Sequence, residues 1–391
     1  MLSTGDEVLH GEIVDTNAVW LANTFYEAGY AMTFRTTSGD CLPTLVETLQ
    51  QRSKVADVLI VNGGLGPTSD DFTAQAAAQA AGVGLVRNNE WLQELEAFFT
   101  RRGREMAAIN LKQADIPDTA EMLPNGNGTA CGFRLQLNDC QIFFTPGPPA
   151  EFQLMITQQV LPRLAQYFPS PEKLSCLRLT TFGRGESFIA ALLTDITLPD
   201  GVTLGYRAAA PIVEIKLSGY QTQQGAMEAC WQVIKHRVAD FTLFEGKGGF
   251  AAEVAALLSQ QEYRLQLHEG FTAGLLNWTL ANGGVRLSGA EIIANQGVND
   301  LKDWPAQFAL KPAAETLFLA VSPLANCREI GFLLATPHQK YTFYAVISEA
   351  LLAAPQRLQE VVVLQAMYLL HRWLSGQPVT LIYQGLELIS D

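Results

Sequence analysis

The sequence predicts an α/β protein that opens on a doubly wound, three-layer domain. Short apolar strands alternate with helix-period segments through the first third, the pattern of a parallel sheet covered on both faces. A glycine loop sits where one of those strands hands over to a helix. With 391 residues, 48% of them hydrophobic, the chain can bury two or three cores. In order, Met1 to Thr4 starts a strand, Thr16 to Ala28 is helical, and Val55 to Asn62 is a strand whose apolar run from Ala56 to Val61 is broken only by Asp57. Helices follow at Thr73 to Ala81 and Asn89 to Arg102, and a strand at Cys140 to Thr145. That strand ends in Thr145-Pro-Gly-Pro-Pro-Ala-Glu151, which opens the next helix. Its prolines fix φ and its glycine permits a tight reversal, so it can wall a pocket or serve only as a strand-to-helix turn.

The polar segment Tyr167 to Lys173 ends the first domain, placed at residues 1–168. A small α/β domain, 170–246, holds strands at Ser175 to Phe182 and Ile212 to Ser218 and helices at Ser187 to Leu193 and Gln224 to Val238. Gly246-Lys-Gly-Gly249 reads as a hinge. It matches a nucleic-acid GxxG clamp but lies in a linker, not between two helices of a basic domain. The third domain, 248–391, alternates again, with helices at Ala251 to Gln260 and Gly274 to Ala281 and strands at Arg264 to His268, Thr316 to Val321 and Glu329 to Ala335. It closes on an apolar helix, Glu360 to Ser375.

The richest stretch is Val61-Asn-Gly-Gly-Leu-Gly-Pro-Thr-Ser-Asp-Asp71. Gly63, Gly64 and Gly66 carry no Cβ, so backbone N–H groups can approach an anion closely, and a helix N-terminus adds positive potential. Asp70 and Asp71 would repel that anion unless a cation lay between them, and Mg²⁺ typically takes one or two carboxylates plus substrate phosphates. The plainer alternative makes Asp70 an N-cap, with Asp71 helping the helix dipole.

A net charge of -13 without a basic, aromatic-interleaved tract argues against nucleic acid as partner. No apolar run reaches the length of a membrane span, and no basic-plus-apolar signal precedes the first motif. The cysteines at 41, 131, 140, 176, 230 and 327 lack CxxC spacing, which points to reduced thiols in the cytoplasm and to no zinc site. Five histidines without paired spacing are read as core or surface residues.

Gly5-Asp-Glu-Val-Leu-His-Gly11 with Asp15-Thr-Asn17, Asn62 to Asp71, Asn110-Leu-Lys-Gln-Ala114, Gly128-Thr-Ala-Cys-Gly-Phe133 and Pro146-Gly-Pro-Pro-Ala-Glu-Phe152 together resemble the CinA family in order and spacing. The likeness runs over nearly the whole chain and is tightest in the first third. It implies a molybdopterin-binding-type (MogA/MoaB-like) first domain, a KH-type middle domain and a nicotinamide mononucleotide deamidase-type last domain. It further implies that the first domain hydrolyses ADP-ribose to AMP and ribose 5-phosphate with a divalent metal: Mg²⁺, Mn²⁺ or Co²⁺. On this resemblance Asp70, Asp71, Asp6 and Glu7 hold the metal, and Asp70, Asp71, Asp15 and Lys112 serve catalysis. Asn17, Asn62, Gly63, Gly64, Gly66, Thr68 and Gly147 then bind substrate, with Tyr206 and Arg207 reaching in from the middle domain. That middle domain keeps Thr181-Phe-Gly-Arg-Gly-Glu-Ser187, Gly205-Tyr-Arg207 and Glu214, though Phe182 and Tyr206 can equally be packing residues. Two departures stand in the first domain. Cys131 replaces the proline of the family's Gly-Thr-Ala-Pro-Gly turn, and only four residues precede Gly5, so the first strand is expected to be clipped.

The last domain departs further. Where the deamidase signature reads Glu-Ser-x-Thr-Gly-Gly, this chain has Glu269-Gly-Phe-Thr-Ala-Gly274, with Gly270 in place of the nucleophilic serine. The family's Tyr-Ser-x-x-x-Lys and Gly-Pro-x-Gly-Gly segments have no clean counterpart in Ala290 to Asp303 or Val321 to Arg328. This domain is therefore expected to be an inactive scaffold. The leading expectation is a metal-dependent hydrolase of a dinucleotide pyrophosphate. Its rivals are a binder or transferase of a molybdopterin-type cofactor and a non-catalytic nucleotide-binding or interaction protein. The apolar closing helix and the family's habit point to a homodimer.

Overall fold

Along the strand Val58–Asn62, side chains alternate between two cores, because successive residues of a strand face opposite sides of the sheet. Leu59 and Val61 pack with Leu45, Ala76, Ala77 and Trp91 on one face, while Ile60 packs with Leu21, Phe25 and Phe152 on the other. The neighbouring strand Cys140–Thr145 does the same, with Ile142 and Phe144 on the first face and Phe143 on the second. Both strands are thus helix-covered on each side, which accounts for their near-continuous burial.

The computed structural model describes residues 1–168, 172–293, 301–308 and 315–389. The chain falls into two units, Met1–Leu174 and Ser175–Asp391. In the first unit the sheet order is Thr36–Ser38, Leu2–Thr4, Val58–Asn62, Cys140–Thr145, Gly132–Leu137 and Glu121–Leu123. The first four strands are parallel, with Val58 opposite Gln141 and Asn62 opposite Thr145. The sheet is not parallel throughout, as the sequence suggested: the last two strands are antiparallel. The cause is a two-residue hairpin at Asn138 and Asp139, in which Asn138 takes a left-handed φ of 53°. Phe133 and Phe144 stack across that hairpin at 4.4 Å.

The second unit contains two sheets. The first is Thr203–Ala209, Ile212–Tyr220, Leu174–Phe182 and Thr242–Glu245 in that order, packed on helices Glu186–Leu193 and Gln224–Arg237. The second runs Leu287–Ile292, Arg264–Glu269, Thr316–Val321, Glu329–Ala335, Lys340–Ile347 and Leu386–Leu388. Its first three strands are parallel and the rest antiparallel. The two sheets touch: Phe182 stacks on Tyr383 at 5.1 Å, and the Tyr368 hydroxyl donates to the Asp240 carbonyl at 2.7 Å.

The closing helix spans Pro355–Leu374, starting at a proline that suits a first helical turn. Its apolar residues, among them Leu358, Val361, Val362, Met367 and Leu370, fill the core of its own unit. Much of the apolarity that pointed to a homodimer is thus used inside the chain. Among the described residues no helix is long and apolar enough to cross a membrane, and all six cysteines are free thiols.

Candidate active site of the first unit

Leu2–Thr4 and Val58–Asn62 are sheet neighbours whose chain connections depart in opposite directions, so a crevice opens at their carboxyl ends. A cavity of about 620 Å³ lies there, walled by Gly5, the loop Gly63 to Asp71 and the turn Pro146 to Pro149.

The two asparagines expected to touch substrate line this cavity and also hold its loops together. Asn62, the last residue of its strand, donates its side-chain amide to the Pro146 carbonyl at 2.5 Å. Asn17 donates to Asn62 Oδ1 at 3.0 Å and to the Gly147 carbonyl at 2.7 Å. Asn17 Oδ1 and, on the neighbouring loop, Thr73 Oγ1 are buried with no hydrogen-bond partner among the described residues.

The glycine loop has the shape its sequence implies. Gly63 and Gly64 sit at φ 107° and 66°, where a side chain is strained. A Cβ on Gly63 would lie 2.7 Å from the Thr4 carbonyl oxygen, and one on Gly64 would strike the Thr73 side chain. Thr73 donates its backbone N–H to the Gly64 carbonyl at 3.1 Å, which anchors the helix Thr73–Ala81 to the loop. The amides of Gly64, Leu65 and Gly66 have no acceptor among the described residues.

Charge is the cavity's defining property. Glu7, Asp15, Asp40, Asp70, Asp71 and Glu151 line it, and no lysine, arginine or histidine does so among the described residues. Several of these carboxylates are already engaged. Asp15 is the N-cap of the helix Thr16–Glu27: it accepts from Ala18 N at 2.9 Å and from the Ser3 hydroxyl at 2.6 Å, with Arg35 at 3.9 Å. Asp71 accepts from the Thr68 amide at 2.8 Å and also from the Thr68 hydroxyl, closing the loop on itself. Asp6 and Asp40 each accept the other's backbone N–H at 3.1 Å.

Asp40 and Glu151 were not singled out by the sequence. Burial pushes the Asp40 carboxyl above the ordinary range, with Asp6, Glu7 and Asp70 adding repulsion against a favourable backbone hydrogen bond. Burial likewise pushes Glu151 up, although Asn125 donates to its Oε2 at 2.7 Å. The Asp70 carboxyl is held below the ordinary range, chiefly by the Thr68 hydroxyl, whose proton it shares with Asp71, then by its own amide, with a smaller pull from Lys112. Lys112 lies behind the glycine loop, its Nζ donating to the Thr68 carbonyl at 2.5 Å, and lines a separate small cavity with Gly64, Leu65, Gly66 and Asp71.

The expected metal shell of Asp70, Asp71, Asp6 and Glu7 is not assembled. Among the described residues no group of three or more His, Cys, Asp or Glu side chains is placed to hold a metal ion. Asp71 is drawn to Thr68 and Asp6 to Asp40, which accounts for the difference. The donors left over, Glu7 and Asp70, suit a hard cation that takes one or two carboxylates and completes its shell from phosphate and water, rather than a protein cage.

Tyr206 and Arg207 belong to the second unit. Arg207 Nε lies 2.9 Å from Glu214, beside Lys216 Nζ at 3.3 Å and Arg178 at 3.5 Å, while Tyr206 packs against the core of its own sheet. Cys131 is buried, and its thiol is pushed up to about 12 by that burial.

In the last domain Glu269 is fully buried and accepts from the Thr272 hydroxyl at 2.7 Å and from the amides of Gly274, Leu276 and Asn277. It caps the helix Leu275–Asn282. A Cβ on Gly270 would run into the backbone of Ser322 and Pro323. Ala273 holds a left-handed φ of 50° where the family signature has glycine. The stretch Ala290 to Asp303, searched for the Tyr-Ser-x-x-x-Lys counterpart, lies partly outside the described residues.

Residues 1–166 match the family described as a probable molybdopterin binding domain. A CinA-like protein of Escherichia coli strain 55989 is 46% identical over 393 residues, covering 100% of this chain and 98% of that one. The chain belongs to the CinA-like protein family. The NMN amidohydrolase-like protein YfaY of Escherichia coli K12 shows the same identity and coverage. Among solved structures, the protein CinA with unknown function from Thermoplasma acidophilum is 25% identical, with a TM-score of 0.38, over 42% of this chain and 95% of that one.

Proposed function

We propose that the first unit is a metal-dependent hydrolase that cleaves the pyrophosphate of ADP-ribose or a related dinucleotide to AMP and ribose 5-phosphate. One observation carries this reading: among the described residues, a cavity lined by six carboxylates and no cationic side chain opens beside a glycine turn whose amides have no acceptor. An anionic substrate enters such a cavity only with a counter-cation, and the amides then have a phosphate to bind. A divalent cation, when bound, supplies charge neutralisation and Lewis-acid polarisation of the phosphoryl oxygens. Glu7 and Asp70 would hold it, with Asp40 beside them adding negative charge. The amides of Gly64, Leu65 and Gly66 hold the phosphate, and Asn17 and Asn62 keep the surrounding loops in place. Glu151, with its pKa raised by burial, can hold a proton on the Oε1 that Asn125 leaves free.

The molybdopterin-binding match over residues 1–166 favours a second reading, in which the same cavity retains a pterin-type cofactor. Product analysis separates the two. Incubating the purified chain with ADP-ribose and Mg²⁺, Mn²⁺ or Co²⁺ releases AMP on the first reading; tight pterin retention without AMP release supports the second.

One relative is called NMN amidohydrolase-like, yet we infer that the last domain of this chain does not deamidate that nucleotide. Gly270 offers no nucleophile, and its surroundings leave no room for a side chain.

A further inference from the structure

A second cavity, of about 450 Å³, opens in the second unit where its two sheets meet, and nothing in the proposed hydrolysis uses it. It is bounded on one side by Gly183 to Glu186, the loop between the strand Leu174–Phe182 and the helix Glu186–Leu193, and on the other by Ser348, Arg357 and Tyr383 to Gly385.

The loop is built to bring Arg184 there. Gly183 takes φ 95°, and a Cβ would lie 2.7 Å from the Ile382 carbonyl oxygen, so only glycine lets the two segments pass this closely. Gln384 N donates to the Gly183 carbonyl at 3.2 Å, which fixes the contact. The Arg184 guanidinium is held over Phe188 and Phe241 at 5.4 and 5.6 Å, and Nη1 points at the carbonyls of Gly183 and Ile382 at 3.3 and 3.4 Å. It has no carboxylate partner among the described residues.

Arg357 faces the same space from the first turn of Pro355–Leu374. A cation at that end of a twenty-residue helix opposes the helix dipole, and Arg357 too has no carboxylate partner among the described residues. Burial raises the Tyr383 phenol and the Arg357 charge opposes part of that rise, so the two groups act on one region. Glu186 is the one acidic side chain lining the cavity among the described residues. The remaining wall is apolar, from Pro211, Ile212 and Leu351.

We propose that this cavity binds a phosphate monoester with a small apolar body, its phosphate between Arg184 and Arg357 and its body against the apolar wall. Two guanidinium groups and the hydroxyls of Ser348 and Tyr383 match the acceptor oxygens of a phosphate, and two cations outweigh the single carboxylate. Because the ligand would touch both sheets, its binding stabilises the second unit by mass action.

The test uses the full-length chain in EDTA, so that the acidic cavity of the first unit has no cation to recruit phosphate, with phenyl phosphate as probe and phenol as control. Calorimetry should give saturable phenyl phosphate binding with a Kd of about 1 mM or tighter and none with phenol. Arg357→Ala, a surface change, should weaken binding at least tenfold, Arg184→Ala likewise, and Arg357→Lys should recover part of the loss. Absent saturable binding by the parent, equal binding by Arg357→Ala, or phenol binding as well as phenyl phosphate would each overturn the assignment. Hydrolysis of ADP-ribose by the first unit is read separately and stands or falls without it.

Discussion

The side-chain amide of Asn17 bridges Asn62 Oδ1 at 3.0 Å and the Gly147 carbonyl at 2.7 Å, so one residue ties the ends of two neighbouring strands into a single rim. Asn62 completes the tie by donating to Pro146. The cavity's shape therefore depends on groups that need not touch a ligand.

Replacing Asn62 with alanine strands the Pro146 carbonyl and one proton of Asn17 in a buried setting. Each orphaned group costs roughly 1–3 kcal/mol, so the variant should lose about 2–6 kcal/mol. Thermal or denaturant unfolding of the full chain measures it, and a loss below about 0.5 kcal/mol would show that the tie is incidental.

Gly64→Ala places a Cβ at φ 66° against the Thr73 side chain. The backbone strain alone is about 1–2 kcal/mol, and relief can only come from moving the loop. AMP binding in the presence of Mg²⁺ should fall at least tenfold. An alanine variant that binds AMP like the parent would remove the glycine turn from the site.

Glu151 makes a pH-dependent prediction. Its carboxyl is raised above the ordinary glutamate value by burial, so the folded state holds its proton more tightly than the unfolded chain does. The stability this brings is fully present below the ordinary value of about 4.3 and is lost as pH rises through the folded value. Glu151→Gln should accordingly raise the melting temperature at pH 7 relative to the parent, with the difference shrinking as pH falls toward 4. Hydrolysis should drop in the same variant if Glu151 carries a proton. A melting temperature at pH 7 equal to or below the parent's would contradict the raised pKa.

How far the sequence reaches is visible in particular residues. The glycine turn, Asn17 and Asn62 were legible because each lies in a contiguous motif with a strand before it or a helix after it. Asp40 was not, since it enters the cavity from a loop distant in sequence and meets it only through the sheet order; Glu151 stands in a contiguous turn motif, but nothing in the motif marks the burial that raises its carboxyl. The strand Thr36–Ser38 is too short to show a period, and the helix Leu42–Arg52 hides behind Pro43, which reads as a breaker but sits harmlessly in the first turn. The hairpin strand Gly132–Leu137 escaped because its turn, Asn138 and Asp139, carries no glycine. Asp71 and Asp15 were read as chemical groups because sequence does not reveal that Thr68 and the Ala18 amide already occupy them.

Gly270→Ser should fail to restore deamidation and should destabilise the second unit. The new side chain meets the backbone of Ser322 and Pro323, and overpacking of this kind costs about 1–3 kcal/mol. Ammonia release from nicotinamide mononucleotide is the readout. Turnover of about 1 per second or more in either the parent or the variant would refute the inactive assignment.

AMP formation from ADP-ribose by the full-length chain decides whether the first unit is a metal-dependent hydrolase, measured with Mg²⁺, Mn²⁺ or Co²⁺ and again with EDTA, for the parent and for Asp70→Asn. Turnover on the order of 1–10 per second is expected with at least one of the metals, none in EDTA, and a loss of about a hundredfold or more in Asp70→Asn with its fold intact. AMP formed equally well in EDTA, or no AMP with any of the three metals, would contradict it.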